Sequence, residues 1–302
     1  MHTHTMAPGA GWSWLKQAIN LGRNNPRALF GAAALLMLVA LVPSVAQVIA
    51  QRFFPGTQAM LWIFGISVVV MLFVYPLLIG GFFRVIDATE RGRPTHATAL
   101  FDTFHAGPLR GRLIGFGLLM FAIYILVFGA ILASFGGDVA SWYMQVLAAT
   151  QQATPGTPPV LPAAPAGLGT VFGLGMLLMM FLGGVYSIGF GQVALTERSV
   201  GGALADGFAG TLKNVLPLLV LAVVSLFGML VVAIVLGLGL ALLMALGSLV
   251  HPLLGMLLAL PVYLAFLVAM YVVMFGVMYF LWRDVTAAGA PTSPSQASGF
   301  EA

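Results

Sequence analysis

Side chains capable of acid–base, metal or nucleophilic chemistry are few in this sequence and widely spaced. There is no cysteine, and the five histidines are His2, His4, His96, His105 and His251. No two of them stand one helical turn apart, as a helical zinc site requires, and none lies in an apolar segment where it could activate a serine. Asp102 and His105 are close enough in sequence to share a hydrogen bond, but a surface position accounts for both. The sequence therefore predicts no catalytic, cofactor-binding or metal-binding residue, and we do not expect an enzyme.

Uncharged polar residues inside apolar segments are the next group with possible chemistry. The five most relevant are Tyr186, Ser187, Gln192, Tyr263 and Tyr271. Residues of this kind commonly form hydrogen bonds between membrane helices. The alternative is that they line a path for an uncharged or amphiphilic solute. Proton antiport and voltage sensing are excluded as functions because no ionisable residue falls inside the predicted spans.

Two polar segments carry the same residue types in the same order. Thr-Glu-Arg at 89–91 is followed by Ala-Leu-Phe-Asp-Thr-Phe at 99–104, and Thr-Glu-Arg at 196–198 is followed by Ala-Leu-Ala-Asp-Gly-Phe at 203–208. This repeated polar motif consists of Glu90, Arg91, Asp102 and Phe104 in the first copy and of Glu197, Arg198, Asp206 and Phe208 in the second. Its charged residues are expected either to form salt bridges that hold the units together or to bind a partner. A weaker third copy at 14–26 completes an internal repeat of three units.

The composition indicates the medium in which these groups must be positioned. Formally charged side chains number 12 basic plus 8 acidic, or 20 of 302, which is 7% against roughly 25% in soluble domains. Hydrophobic residues make up 61%, and the mean hydropathy is +1.05. So few charges cannot cover a soluble protein of this length, so the chain is predicted to be an integral membrane protein that contacts membrane lipids. Intrinsic disorder and a nucleic-acid partner are excluded on the same grounds.

Membrane helices need about 20 apolar residues to cross a hydrocarbon core of about 30 Å. Six segments meet this requirement: 28–50, 60–83, 113–135, 168–195, 215–246 and 253–282. The predicted fold class is an all-α membrane protein with six transmembrane helices in three tandem hairpins, each preceded by a short cytoplasmic amphipathic helix. The apolar faces expected for these three short helices are Trp12/Leu15/Ile19, Leu100/Phe101/Phe104 and Val200/Leu204/Phe208.

Basic residues are distributed unequally over the two predicted sides of the membrane. Segments 1–27, 84–112, 196–214 and 283–302 contain 11 of the 12 Lys and Arg residues, and the other side has only Arg52. Because basic residues near helix ends remain in the cytoplasm, both termini are predicted to be cytoplasmic. The amino-terminal segment 1–27 then holds the first amphipathic helix, and 28–285 forms the six-helix domain.

Two segments outside the spans are predicted to lack regular structure. The external loop 136–167 contains five prolines, which preclude a regular helix. Its Trp142 and Tyr143 are expected to lie on the membrane surface. The cytoplasmic tail 286–302 is small, polar and proline-containing, and is expected to be disordered.

Three short motifs resemble those of a known group of membrane proteins. They are Pro-Leu-Leu-Ile-Gly-Gly-Phe-Phe at 76–83, the polar stretch 90–94 followed by 100–104, and Tyr-Phe-Leu-Trp-Arg-Asp at 279–284. With these motifs the chain resembles uncharacterised six-helix integral membrane proteins of proteobacteria, of the domain-of-unknown-function type. The resemblance covers most of 12–284 and implies a bacterial inner-membrane location. It implies no activity and no catalytic residue.

Two functions from different classes are compatible with these features. The first is a non-catalytic membrane module that interacts with lipid or partner proteins. The second is a transporter or flippase for an uncharged or amphiphilic solute, which would use a path between the repeated units. A cavity reaching the bilayer midplane among Tyr186, Gln192 and Tyr263 would favour the second function, and an interior without a polar cavity the first. Self-association is predicted through helix faces with small residues, such as Gly183, Ser187 and Gly191.

Overall fold

The computed structural model describes residues 3–53, 57–152 and 159–286. In chain order, the α-helices of these residues are α1 (Ala10–Asn20), α2 (Pro26–Phe53), α3 (Thr57–Glu90), α4 (Pro108–Phe135), α5 (Val139–Gln152), α6 (Leu168–Thr196), α7 (Val200–Lys213), α8 (Val215–Ser248) and α9 (Pro252–Val285). Two short 3-10 helices, Leu21–Arg23 and Ala97–His105, lie between them. Six helices, α2, α3, α4, α6, α8 and α9, are long and apolar enough to cross a membrane. The predicted all-α membrane fold with six spans is therefore confirmed.

The six long helices pack as three consecutive hairpins, α2 with α3, α4 with α6, and α8 with α9. The two helices of the third hairpin lie in close contact at their turn. A Cβ atom added to Gly247 would lie 2.4 Å from the Gly255 backbone, so the two helices approach as closely as glycine allows. Each hairpin follows a short helix: α1 precedes the first, the 3-10 helix Ala97–His105 the second, and α7 the third.

Both described ends of the chain lie at the same end of this bundle. The His4 amide donates a hydrogen bond to the Val285 carbonyl at 2.8 Å, and the Asn25 side chain donates to the Thr95 carbonyl at 3.3 Å. Here α3, α6 and α9 end and α4 and α8 begin. The segments with most of the Lys and Arg residues therefore meet at this end of the bundle, here named the polar end.

Helix α1 lies against the third hairpin, although it precedes the first. It packs on α8 and α9 through Trp14 and Ala18, which are fully buried. The Trp14 indole nitrogen donates a hydrogen bond to the Asp284 carboxylate at 3.0 Å. Trp12 and Ile19, from the predicted apolar face, remain exposed. Helix α1 thus has one face for its own chain and a second apolar face suited to the membrane interface.

The second short helix is a 3-10 helix, Ala97–His105, that packs on α2 and α3. Leu100 and Thr103 are buried, and the Thr103 hydroxyl donates a hydrogen bond to the Leu77 carbonyl at 2.8 Å. Gly81 of α3 permits this contact, because a Cβ atom there would lie 1.9 Å from the Leu100 carbonyl oxygen. Phe104, from the repeated polar motif, is half-buried at the edge of this contact.

Helix α7 lies on α6, and small residues again set the distance. Gly207 and Gly210 are buried, and a Cβ atom on Gly207 would lie 2.7 Å from the Val185 carbonyl oxygen. Phe208, from the repeated polar motif, contacts Phe181 with ring centroids 5.7 Å apart. The helix begins where the Ser199 hydroxyl accepts a hydrogen bond from the backbone of the first turn.

The hydrophobic core occupies only the half of the bundle next to the polar end. Its main buried positions fall within 28–36 of α2, 77–86 of α3, 109–120 of α4, 185–194 of α6 and 272–285 of α9. In the other half, most side chains are exposed or half-buried, as in α8, where Val231 and Val235 are 60% and 66% exposed. These apolar surfaces suit contact with lipid chains, since lipid gives no hydrophobic drive to bury them.

Two expectations about helix ends need correction. Helix α3 continues past residue 83 to Glu90, and α4 begins at Pro108 and not at 113.

The first part of the segment 136–167, expected to lack regular helix, forms α5 (Val139–Gln152). The prolines that break helices all follow residue 154, so they do not act on this part. The Trp142 indole nitrogen donates a hydrogen bond to the Pro162 carbonyl at 3.1 Å. Of the predicted disordered tail, 287–302 lies outside the described residues.

Candidate functional site

A buried carboxylate stands at the polar end of the bundle. Asp87 of α3 has only 5% of its side chain exposed and accepts hydrogen bonds from three donors. Its donors are Arg91 Nε at 2.8 Å, Arg93 Nη2 at 2.5 Å and the Tyr279 hydroxyl of α9 at 3.0 Å. The Asp87 carboxylate raises the pKa of the Arg91 guanidinium above its ordinary value. This group therefore ties the end of α3 to α9.

Sequence reasoning missed Asp87 because the predicted span ended at residue 83. A signal was nevertheless present. Asp87 precedes Arg91 by four residues, which is the spacing of an ion pair on one helix face. That spacing indicates a helix continuing through both residues, as the structure has it.

The second copy of the repeated polar motif also forms an ion pair. Arg198 binds Asp206 with two hydrogen bonds, Nε to Oδ2 at 2.9 Å and Nη2 to Oδ1 at 3.2 Å. Gln192 donates to the same carboxylate at 3.3 Å and accepts from the Thr196 hydroxyl at 2.7 Å. Gln192 therefore belongs to the network that holds α7 on α6.

The two copies of the motif use their acidic residues differently. Arg198 pairs with Asp206 of the following helix, whereas Arg91 pairs with Asp87 of its own helix. Asp102, the counterpart of Asp206, is exposed and has no ion-pair partner among the described residues. The connection in the first copy is longer and contains proline, which accounts for the different placement. Glu90, at the end of α3, lies 3.9 Å from Arg283.

Residues of both copies meet in a polar cavity of about 470 Å³. The end of α3, the 3-10 helix Ala97–His105, the start of α4 and the end of α6 enclose it. Its charged lining residues are Arg84, Asp87, Arg91, Arg93, Asp102, Arg112 and Glu197. A neighbouring cavity of about 440 Å³ shares four of its lining residues, Arg84, Leu109, Arg112 and Glu197. Together they are named the arginine cavity.

Two arginines of this cavity have no carboxylate partner among the described residues. They are Arg84, which is exposed, and Arg112, which is half-buried. Arg112 donates from Nη1 to the backbone carbonyl of Glu197, while its Nε atom is buried and has no acceptor. A buried donor without a partner costs about 1–3 kcal/mol. A bound anion would supply the missing acceptor, in a cavity that is also lined by the carboxylates of Asp102 and Glu197.

No family model matches this chain, and no curated protein or solved structure does either. Among the residues that the structure describes, no group of three or more His, Asp or Glu side chains is placed to hold a metal ion. The arginine cavity is thus described by its own geometry and charge. Its guanidinium groups belong to the class of side chains that bind anions with charge-assisted hydrogen bonds.

The polar residues predicted inside the membrane lie in three different places. Tyr186 lines two cavities, one of about 430 Å³ and a largely apolar one of about 780 Å³. Ser187 lines the larger cavity and donates to the Gly183 carbonyl at 2.7 Å. Tyr271 stacks on Phe275 at 6.1 Å between ring centroids, and Tyr263 is 44% exposed. Of the three residues predicted to line a path, Tyr186 lines these cavities, and the path itself stays a prediction.

Proposed function

We propose that this chain is a non-catalytic integral membrane protein that binds an anionic phospholipid by its headgroup in the arginine cavity. The observation that carries the proposal is the buried Nε atom of Arg112, which lacks an acceptor among the described residues. Arg112 lines the same cavity as Arg84, a second arginine without a carboxylate partner there. A phosphate diester has the oxygen atoms that both guanidinium groups need. Planar guanidinium groups bind phosphate oxygens with paired hydrogen bonds.

The position of the cavity favours a lipid headgroup as the source of this phosphate. Arg84 follows the buried apolar residues of α3 directly, and Arg112 lies in the first turns of α4. Val85 and Leu109 add apolar surface to the same cavity. A phosphate held between the two arginines can therefore keep its acyl chains against the apolar parts of the helices. His96 and Asp102 also line the cavity.

The binding proposal is tested by replacing Arg112 with glutamine in the purified protein. We expect the affinity for phosphatidylglycerol, measured by native mass spectrometry from detergent, to fall about tenfold, because a charge-assisted hydrogen bond is worth about 1.5–3 kcal/mol. Arg110→Gln is the matched control, since Arg110 is exposed on the same helix and does not line the arginine cavity. Its affinity should stay within about twofold of the unchanged protein.

Two results would contradict lipid binding at this site. An equal loss of affinity in both variants would mean that the basic surface attracts anionic lipid without a specific site. Displacement of the lipid by inorganic phosphate at a similar concentration would mean that the cavity binds a soluble anion. Phosphatidylcholine, which has no net charge, should bind both variants and the unchanged protein equally weakly.

The location that we propose is the bacterial inner membrane, with both termini and the arginine cavity on the cytoplasmic side. It is supported by the gathering of 11 of the 12 basic residues in segments that meet at the polar end. We also propose that the repeated polar motif reflects an internal duplication. Partner proteins, and self-association through small-residue helix faces, stay predictions. An added Cβ on Gly183 meets no atom within 4 Å, whereas one on Gly191 would lie 2.1 Å from the Trp282 side chain, so only the Gly183 end of that face is open.

Topology can be measured with cysteine labelling, because the chain has no cysteine of its own. A membrane-impermeant maleimide should label Thr150→Cys in intact cells, since Thr150 lies exposed on α5 away from the polar end. It should label Thr292→Cys only after the cells are lysed. The reverse pattern would invert the topology, and labelling of both in intact cells would contradict the three spans, α6, α8 and α9, that lie between the two positions.

A transporter or flippase for an uncharged or amphiphilic solute is the second candidate function. It is supported by the two cavities on either side of Tyr186, deep among the spans. Alternating access would require the hairpins to move relative to one another about this residue. We favour the lipid-binding proposal because the buried Nε atom of Arg112 in the arginine cavity requires a hydrogen-bond acceptor.

A further inference from the structure

Four tyrosines lie at a common depth inside the bundle. They are Tyr75 of α3, Tyr124 of α4, Tyr186 of α6 and Tyr271 of α9. The charged residues Arg84, Arg112, Glu197 and Arg283 mark the polar end on these four helices. Each tyrosine lies nine to twelve residues from the marker on its own helix. At a rise of 1.5 Å per residue, this separation is about 14–18 Å. Half of a hydrocarbon core is about 15 Å. The tyrosines therefore lie close to the bilayer midplane.

Three of these tyrosines line one cavity of about 430 Å³ between α3, α4 and α6, here named the tyrosine cavity. Its base is set by Gly117 and Pro76, since a Cβ atom on Gly117 would lie 2.3 Å from the proline ring. Phe121 also lines the cavity and is 39% exposed, so one side opens toward the lipid. This volume is in the range of sites for small ligands.

The hydroxyl groups that line this cavity differ in their hydrogen bonding. Neither Tyr124 nor Tyr186 has a hydrogen-bond partner among the described residues, whereas the Tyr75 side chain lies beside that of Tyr271. The Tyr186 ring packs against Phe190 at 4.6 Å and Phe116 at 6.4 Å between centroids, which holds it in place. A hydroxyl surrounded by hydrocarbon gains from any acceptor that reaches it.

The lining of the cavity restricts what can supply this acceptor. No ionisable side chain other than the tyrosines lines it, which disfavours a charged ligand. A phospholipid headgroup stays about 15 Å away at the membrane surface, and an acyl chain has no acceptor atom. An uncharged lipid with carbonyl oxygens on an apolar ring that resides near the midplane meets these conditions.

We propose that the tyrosine cavity binds the ring of an isoprenoid quinone. The hydroxyl groups of Tyr124 and Tyr186 donate hydrogen bonds to the quinone carbonyl oxygens. The aromatic rings of Tyr186 and Phe121 contact the flat head, and the isoprenoid tail leaves between α3 and α4 into the lipid. This site is independent of the arginine cavity, and the proposal concerns binding only.

The experiment uses the full chain in phosphatidylcholine nanodiscs, with decyl-ubiquinone as the probe. We expect saturable retention of the quinone above that of empty nanodiscs, quantified by chromatography after removal of free probe. In the double variant Tyr124→Phe/Tyr186→Phe the apparent Kd should rise about tenfold, because two hydrogen bonds are lost while both rings remain. Tyr263→Phe is the matched control and should leave the Kd unchanged, since Tyr263 does not line the cavity.

Other outcomes would overturn the proposal. They are retention no greater than in empty nanodiscs, an equal effect of Tyr263→Phe, and equal retention of decylbenzene, which has the tail and a ring but no carbonyl oxygen. Circular dichroism and gel filtration serve as the controls that test whether the double variant is folded. Arg112→Gln should bind the quinone normally, so failure of the lipid-headgroup proposal would leave this result intact, and the reverse also holds.

Discussion

Replacing both Arg91 and Arg93 with glutamine should lower the free energy of unfolding by about 3 kcal/mol. The double change leaves the Asp87 carboxylate, with 5% of its side chain exposed, without a cation and with the Tyr279 hydroxyl as its remaining donor. Breaking a buried ion pair on one side costs about 3–5 kcal/mol. The lower value applies because the two arginines are 50% and 58% exposed and solvent screens their charges. The measurement is unfolding in mixed micelles with increasing dodecyl sulfate, followed by circular dichroism.

The control for this prediction adds Asp87→Asn to the double variant. The amide carries no charge that needs a cation and still accepts a hydrogen bond from Tyr279. Most of the lost stability should therefore return, although the third change removes one more native group. If the triple variant were less stable than the double variant, the uncompensated carboxylate would not be the cause of the loss.

The position of the six spans could be predicted from sequence because the membrane imposes a length on apolar segments. The ends of the spans could not be predicted as well. Asp87 and Arg84 are polar residues in the last turns of α3, and hydropathy alone places them outside the helix. They are tolerated there because Asp87 has three donors and Arg84 lines a polar cavity.

The two copies of the repeated polar motif have similar sequences but form different ion pairs. Asp102 and Asp206 occupy the same place in the motif, yet only Asp206 binds the arginine of its own copy. The three extra residues of the first connection, with Pro94 among them, shift the following 3-10 helix relative to Arg91. Glu197 and Asp102 both line the arginine cavity, and neither of these two carboxylates forms an ion pair with a described residue.

The candidate residues inside the membrane were harder to place, for a different reason. Helices α8 and α9 have apolar residues on every face, so hydrophobic periodicity does not identify the face that packs against the bundle. Tyr263 and Tyr271 of α9 illustrate this, since the first is exposed and the second packs on Phe275. Tyr75, Tyr124 and Tyr186 lie on three different helices, and tertiary packing brings them to the same cavity, which the sequence pattern does not predict.

Packing at the polar end gives the two proposed sites a common support. Asp102 of the 3-10 helix Ala97–His105 lines the arginine cavity. The same 3-10 helix packs on α3 between Leu77 and Gly81. Both cavities are thus bounded by α3 and α4, which belong to different hairpins. A change that moves the 3-10 helix should therefore disturb the arginine cavity first, since the tyrosine cavity lies nearer the midplane.

Gly81→Ala should destabilise the protein by about 3 kcal/mol, the upper range for an overpacked core site. The new methyl group would lie 1.9 Å from the Leu100 carbonyl oxygen and 3.1 Å from its Cα atom, and backbone atoms cannot move aside by changing rotamer. The 3-10 helix must then withdraw, which breaks the hydrogen bond from Thr103 to Leu77. Gly65→Ala on the same helix meets no atom within 4 Å and should change stability by no more than about 0.5 kcal/mol. Equal stability of the two variants in the dodecyl sulfate titration would mean that the 3-10 helix does not pack on Gly81.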